Sequence, residues 1–111
     1  MAWYLTLRHD LVPRDKRVSK AEDHLAWMRE RHRTGDILFS GPSSAPGESG
    51  KRLGIYVIRA KNLEEATRIA RSDPHTVAGD TDCEIIEWEV HQIMGLGKFS
   101  APWDHEDQEA H

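Results

Sequence analysis

A chain of 111 residues that is 38% apolar and 31% charged has the length of one compact domain with a single small core, and a domain this small gains from pairing with a second copy of itself. Its net charge of −4 is concentrated in a tail holding Asp104, Glu106, Asp107 and Glu109, so residues 1–100 balance 15 basic against 15 acidic side chains, and the cations between Arg14 and Arg33 alternate with Asp15, Glu22, Asp23 and Glu30 as on a solvated helix face rather than a nucleic-acid surface. No stretch approaches the roughly 20 apolar residues of a membrane span, and a lone Cys83 behind an N-terminus without a secretory pattern makes the cytoplasm the expected compartment.

Residues 2–8 alternate, with Trp3, Leu5 and Leu7 on one side and Tyr4, Thr6 and Arg8 on the other, which predicts a first strand. Ser19-Lys20-Ala21-Glu22 reads as a capping box, in which the Ser19 hydroxyl and Glu22 carboxylate satisfy free amides at the start of a helix running to Thr34. The apolar positions of that helix are Ala21, Leu25 and Met28, flanked by Trp27, and His24 falls inside the stripe. Gly35 supplies the stop. Asp36 to Ser40 predicts a second strand ending at Gly41-Pro42, followed by a Ser-, Gly- and Pro-rich loop to Arg52 that has the composition of a lid.

Leu53 to Ala60 predicts a third strand, and Asn62-Leu63-Glu64-Glu65 caps a second helix with apolar Leu63, Ala66, Ile69 and Ala70. Pro74 ends it and biases Asp73 out of the helical region. Glu84 to Val90 predicts a fourth strand, with Ile86, Trp88 and Val90 alternating against Glu87 and Glu89. The order βαββαβ predicts an α+β, ferredoxin-like antiparallel sheet with two helices on one face. Its other face needs a cover. If Tyr56 and Ile58 lie there, a second subunit across it makes a dimeric α+β barrel with a cavity between the sheets.

The run of His24-Leu25, Gly35-Asp36-Ile37-Leu38-Phe39-Ser40-Gly41-Pro42, Leu63-Glu64-Glu65-Ala66, Ser72-Asp73-Pro74 and Gly79, in that order and spacing, resembles the YciI-like (YCII) family of small dimeric α+β barrel proteins. The resemblance spans residues 1–94 and leaves an acidic tail, 95–111, without a counterpart. It implies a homodimer and an active site built around His24 and Asp73, with the Ser40-Gly41-Pro42 corner close by. Some members act on ring compounds, including a dehydrochlorinase of chlorinated hydroxyquinols.

The chemistry needs no metal and no cofactor. A histidine titrates near neutrality, and a carboxylate on one ring nitrogen fixes its tautomer and raises the basicity of the other. His24 then moves a proton while Asp73 orients it, and Ser40 with the amides near Gly41 receives a developing oxyanion. Trp88 is a further candidate for the cavity wall. Two readings stay open for each member of the pair. His24 is also readable as a helix-interface histidine and Asp73 as a turn cap, with Asp36 as an alternative partner that more simply serves its own turn.

His9, His91, His32 and His75 read as unremarkable. His105 and His111 lack the fixed spacing of metal ligands, Cys83 carries no sign of activation, and Trp3 and Trp27 read as core or interface aromatics. Two function classes follow: a cofactor-independent lyase or isomerase acting on a small cyclic or aromatic acid, and a non-catalytic module that holds a small ligand.

Overall fold

A computed structural model describes residues 2–43, 53–93, 97 and 98. The proposed lid, the tail and the boundary between domain and tail fall largely or wholly outside these residues. The elements are β1 (Ala2–Asp10), α1 (Ala21–Thr34), β2 (Ile37–Pro42), β3 (Gly54–Ala60), α2 (Leu63–Arg71), a single helical turn α3 (Pro74–Val77), β4 (Thr81–Trp88) and a small pair, β5 (Gln92–Ile93) with β6 (Gly97–Lys98). The main sheet runs β2-β3-β1-β4, antiparallel throughout. This is the ferredoxin-like order, with the helices on one face. No helix among the described residues is long and apolar enough to cross a membrane.

The local signals act as their chemistry requires. The Asn62 side chain accepts the Glu65 amide at 2.9 Å, Glu64 and Glu65 occupy the first turn of α2 and Arg68 and Arg71 the last, each charge set against the end of the helix dipole it favours. Gly35 closes α1 at φ 83°, a left-handed turn that a β-carbon would strain. Pro42 is tolerated because β2 is an edge strand, where its missing donor leaves no ladder bond unmade.

Register decides the faces. Tyr4 pairs with Ile58, Thr6 with Tyr56, and Arg8 with both Gly54 and Cys83, so these side chains share one side. There Tyr4, Ile37, Tyr56, Ile58, Ala60 and Cys83 form the core with Ala66, Ile69 and Ala70 of α2. Tyr56 and Ile58 therefore face the helices, so the arrangement in which they would line the uncovered side does not hold. That side carries Leu5, Leu7, Phe39, Ile86 and Trp88, and Phe39 is 64%, Ile86 41% and Trp88 45% exposed.

Two further expectations change. Pro74 does end α2, but it also opens α3, with Asp73 as that turn's cap, accepting the His75 amide at 3.0 Å. The predicted capping box does not form. The residue before α1 is Lys20, without a side-chain cap, and Ser19 turns instead toward Asp80, sixty-one positions away. Two main-chain amides, Val18 at 3.1 Å and Ser19 at 2.9 Å, also donate to the Asp80 carboxylate. A buried carboxylate with three donors outcompetes a local cap, because leaving it unsatisfied costs more than freeing a helix-end amide to water.

Candidate active site

The apolar stripe of α1 reaches the core only through Met28. None of its residues is fully buried and Leu25 stays 51% exposed. Ala21, His24, Leu25 and Met28 instead form one wall of a cleft of about 970 Å³, whose other walls come from β1, β2, β3 and the α3 turn. Trp27, on the flank, packs against the core, stands edge-on to Tyr56 and donates to the Ser72 hydroxyl at 2.8 Å, which ties α1 to the end of α2.

Asp73, 0% exposed, lies behind this wall. His24 Nδ1 donates to its Oδ1 at 2.8 Å, Arg8 Nη1 donates to its Oδ2 at 3.1 Å, and the His75 amide completes the set. Burial opposes the Asp73 charge, but the His24 hydrogen bond, the His75 amide and the Arg8 guanidinium outweigh it and hold the carboxyl below the usual carboxylate range. An ionised Asp73 accepts only, so the His24 proton sits on Nδ1 and leaves Nε2, across the ring, with a free lone pair. Arg8 Nη1 comes within 3.3 Å of the same Nδ1. Two donors cannot bond each other, so the guanidinium's partner here is Asp73.

Arg8 lines the cleft and pairs with Asp73, a place its sequence context alone did not mark. It shares a side with Tyr4 and Thr6, and a cation on a core-facing position was a visible oddity that needed a buried anion. Its cross-strand neighbour is Gly54, where a β-carbon would lie 3.0 Å from Arg8 Nε and within 3.3 Å of its guanidinium carbon. The glycine leaves the space in which the arginine lies flat.

His75 is the second omission. Its ring stacks on His24 with centroids 4.6 Å apart and planes 19° from parallel. Its Nδ1 lies 2.5 Å from Ser19 Oγ, which in turn donates to Asp80 Oδ2. The Ser19 hydroxyl and the two amides from Ser19 and Val18 hold the Asp80 carboxyl below its usual range. Burial, then the neighbouring His24, lowers the pKa of His75 and favours its neutral ring.

The other predicted residues divide. Ser40, Gly41 and Pro42 do line the cleft, and Ser40 Oγ is held by His32 Nε2 at 2.7 Å. Trp88 does not join them: it pairs with Trp3 on the opposite side of the sheet from Arg8. Asp36 is engaged by Arg31 at 2.7 Å and Thr34 at 3.0 Å, in keeping with a turn role. Cys83 is buried, and burial followed by Asp82 pushes its thiol up, away from reactivity. Among the described residues no cluster of His, Cys, Asp and Glu is arranged to hold a metal ion, and His105 and His111 lie outside them.

Comparison with known proteins places the chain in a family. The chain is 33% identical to Protein YciI of Escherichia coli O6:H1 over 70 residues, which is 59% of this chain and 71% of that one. It is 30% identical over 70 residues to an uncharacterized protein of Haemophilus influenzae, with the same coverage. Its fold is similar to that of 5-chloro-2-hydroxyhydroquinone dehydrochlorinase from Burkholderia phenoliruptrix AC1100, solved in complex with 2,5-dihydroxybenzoquinone, at a TM-score of 0.59 and 20% identity, covering 78% of this chain and 93% of that one. The YCII-related domain matches residues 1–89, and the chain belongs to that family.

Proposed function

We propose that the cleft is the acid/base site of a lyase or isomerase acting on a small cyclic or aromatic acid, with His24 as the proton-transferring group, Asp73 as its orienting partner, and neither metal nor cofactor in the reaction. The observation that carries this reading is the 2.8 Å bond from His24 Nδ1, in the wall of an open cleft, to a fully buried Asp73 behind it. A carboxylate so placed stabilises the imidazolium formed when Nε2 takes a proton. Leu25, Met28, Leu53 and Tyr56 offer apolar surface for a ring, and Arg14 supplies positive charge for an acid group at the same cleft, Arg17 being paired with Asp10. Ser40 and the Gly41 backbone face a developing oxyanion. The fold neighbour's action on a chlorinated hydroxyhydroquinone supports a ring substrate.

Solvent-exchange measurement tests this without knowing the net reaction. The chain is incubated in D2O with a panel of hydroxylated aromatic and enolisable cyclic acids, and loss of ring C–H signal is followed by NMR. Wild type exchanges at least one of them, and His24→Gln slows that exchange by at least about 100-fold. Compounds that bind the wild type without exchanging favour the second reading, a ligand-holding module in which the pair only shapes the cavity.

The domain comprises residues 1–94 followed by an acidic tail, and we place it in the cytoplasm as a homodimer paired through the sheet face that carries Phe39, Ile86 and Trp88. Exposed large apolar side chains on one sheet face are what such pairing buries. Sedimentation velocity checks it: wild type runs as a dimer and Ile86→Glu as a monomer.

A further inference from the structure

The cleft contains two imidazoles, each with its own anchor at Nδ1, and the reading above uses only one. We propose that His75, positioned by Ser19 and Asp80, is the second proton-carrying group of this site, and that His24 and His75 hold a single proton between them. The inference rests on the acid/base reading of the cleft and adds a second histidine and a reaction class to it.

The geometry makes the two rings a unit. They stack at 4.6 Å, so two imidazolium charges would face each other with little water between them. Each ring spends its Nδ1–H on an anchor. For His24 the anchor is Asp73, and for His75 it is Ser19, whose own proton goes to Asp80. Each therefore presents Nε2 as the working atom, a base when neutral and an acid when protonated. Asp73 joins the two, since its Oδ1 accepts both the His24 ring and the His75 amide.

The charged groups around His75 are consistent with one shared proton. His24 from α1, Arg8 from β1 and Arg17 from the following segment disfavour its protonation, and Asp73 favours it. Asp80, which accepts from Ser19, also acts on His75 through its charge and favours its protonation, and Arg17 is itself paired with Asp10.

A pair carrying one proton can move a hydrogen between two atoms of a substrate without solvent. The neutral ring accepts a proton from one substrate atom as the protonated ring gives its proton to another. The substrate's formula is unchanged and the pair again holds one proton. The reaction class is tautomerisation or double-bond isomerisation of an enolisable ring compound.

The test is an NMR titration of the full chain labelled with 15N-histidine. In wild type the His24–His75 pair takes up one proton across the neutral range, His75 reports an Nδ1–H tautomer, and its midpoint lies below the ordinary imidazole value. His24→Gln raises the His75 midpoint. Ser19→Ala and Asp80→Asn each remove the Nδ1–H preference of His75, and Ser19→Thr restores it. Two protons taken up independently, or a His75 midpoint that ignores His24→Gln, overturn the proposal. Any panel compound that wild type exchanges adds a catalytic readout: His75→Gln slows its exchange at least about tenfold, more in kcat than in KM. An undiminished rate overturns the catalytic role of His75 even where the proton is shared. Absence of exchange in wild type counts against the acid/base reading itself, and the titration still decides the shared proton.

Discussion

The two long helices divide the work of the molecule. α2, nine residues, buries Ala66, Ile69 and Ala70 against the sheet, whereas α1, fourteen residues, buries none completely and gives its apolar stripe to the cleft. Both show apolar residues at helical spacing, so periodicity alone does not distinguish a core stripe from a ligand-facing one. The difference lies in what interrupts the stripe. Small Ala66 and Ala70 let α2 approach the sheet closely, while His24 keeps a polar group on the face that α1 turns inward. Asp73, at the far end of α2, is where the two roles meet.

Asp73→Ala should do the most damage, because it strands a nearly buried Arg8 without its anion and removes the partner of His24. A loss of about 3 to 5 kcal/mol is expected in urea unfolding. The acid limb should change too. The folded pKa of Asp73 lies below its unfolded value, so its ionisation contributes stability that is complete above the ordinary carboxylate range and is lost as pH falls below it. In Asp73→Ala that contribution is absent at every pH, and the slope of stability against pH flattens in the acid region. A variant with an unchanged acid slope would mean that the carboxyl is not held ionised by its partners.

Ile69→Ala comes next. It opens a cavity under α2 and should cost about 2 to 5 kcal/mol while leaving ligand shifts in the cleft intact at permissive temperature. Leu25→Ala, the matching change on α1, should alter stability by no more than about 0.5 kcal/mol and yet weaken cleft ligands. If the two truncations cost the same, the division between the helices fails.

Much of this plan was legible in the sequence. Strand alternation, the Asn62 cap and Gly35 act locally, and local chemistry settled them. His24 and Asp73 stood out as a polar residue in an apolar stripe and an acid freed by the following proline. What escaped reading depends on long-range partners. Ser19 matched a local capping pattern, but a buried Asp80 sixty-one residues on is the stronger claimant. Alternation grouped Tyr4, Thr6 and Arg8 correctly, yet no periodicity says which side of a sheet will meet helices. The same ambiguity left the side of Tyr56 open and made Trp88 a candidate for the site. His75 carried no signal beyond its place after Pro74, because its meaning comes from the ring stacked on it.

The Asp80 clamp also bears on how the chain becomes functional as it folds. Three of the side-chain bonds at the cleft join an early residue to a late one: Arg8 to Asp73 across 65 positions, His24 to Asp73 across 49, and Ser19 to His75 across 56. Closing such loops is slow relative to forming helices. Helix α1 can form while the cleft has no second wall, and a nascent chain that has not yet delivered residues 73–80 has no anchor for either histidine. The anchors of both histidines are therefore assembled together when the α3 turn docks and brings β4 to β1, so that closing the sheet and forming the cleft are the same folding event.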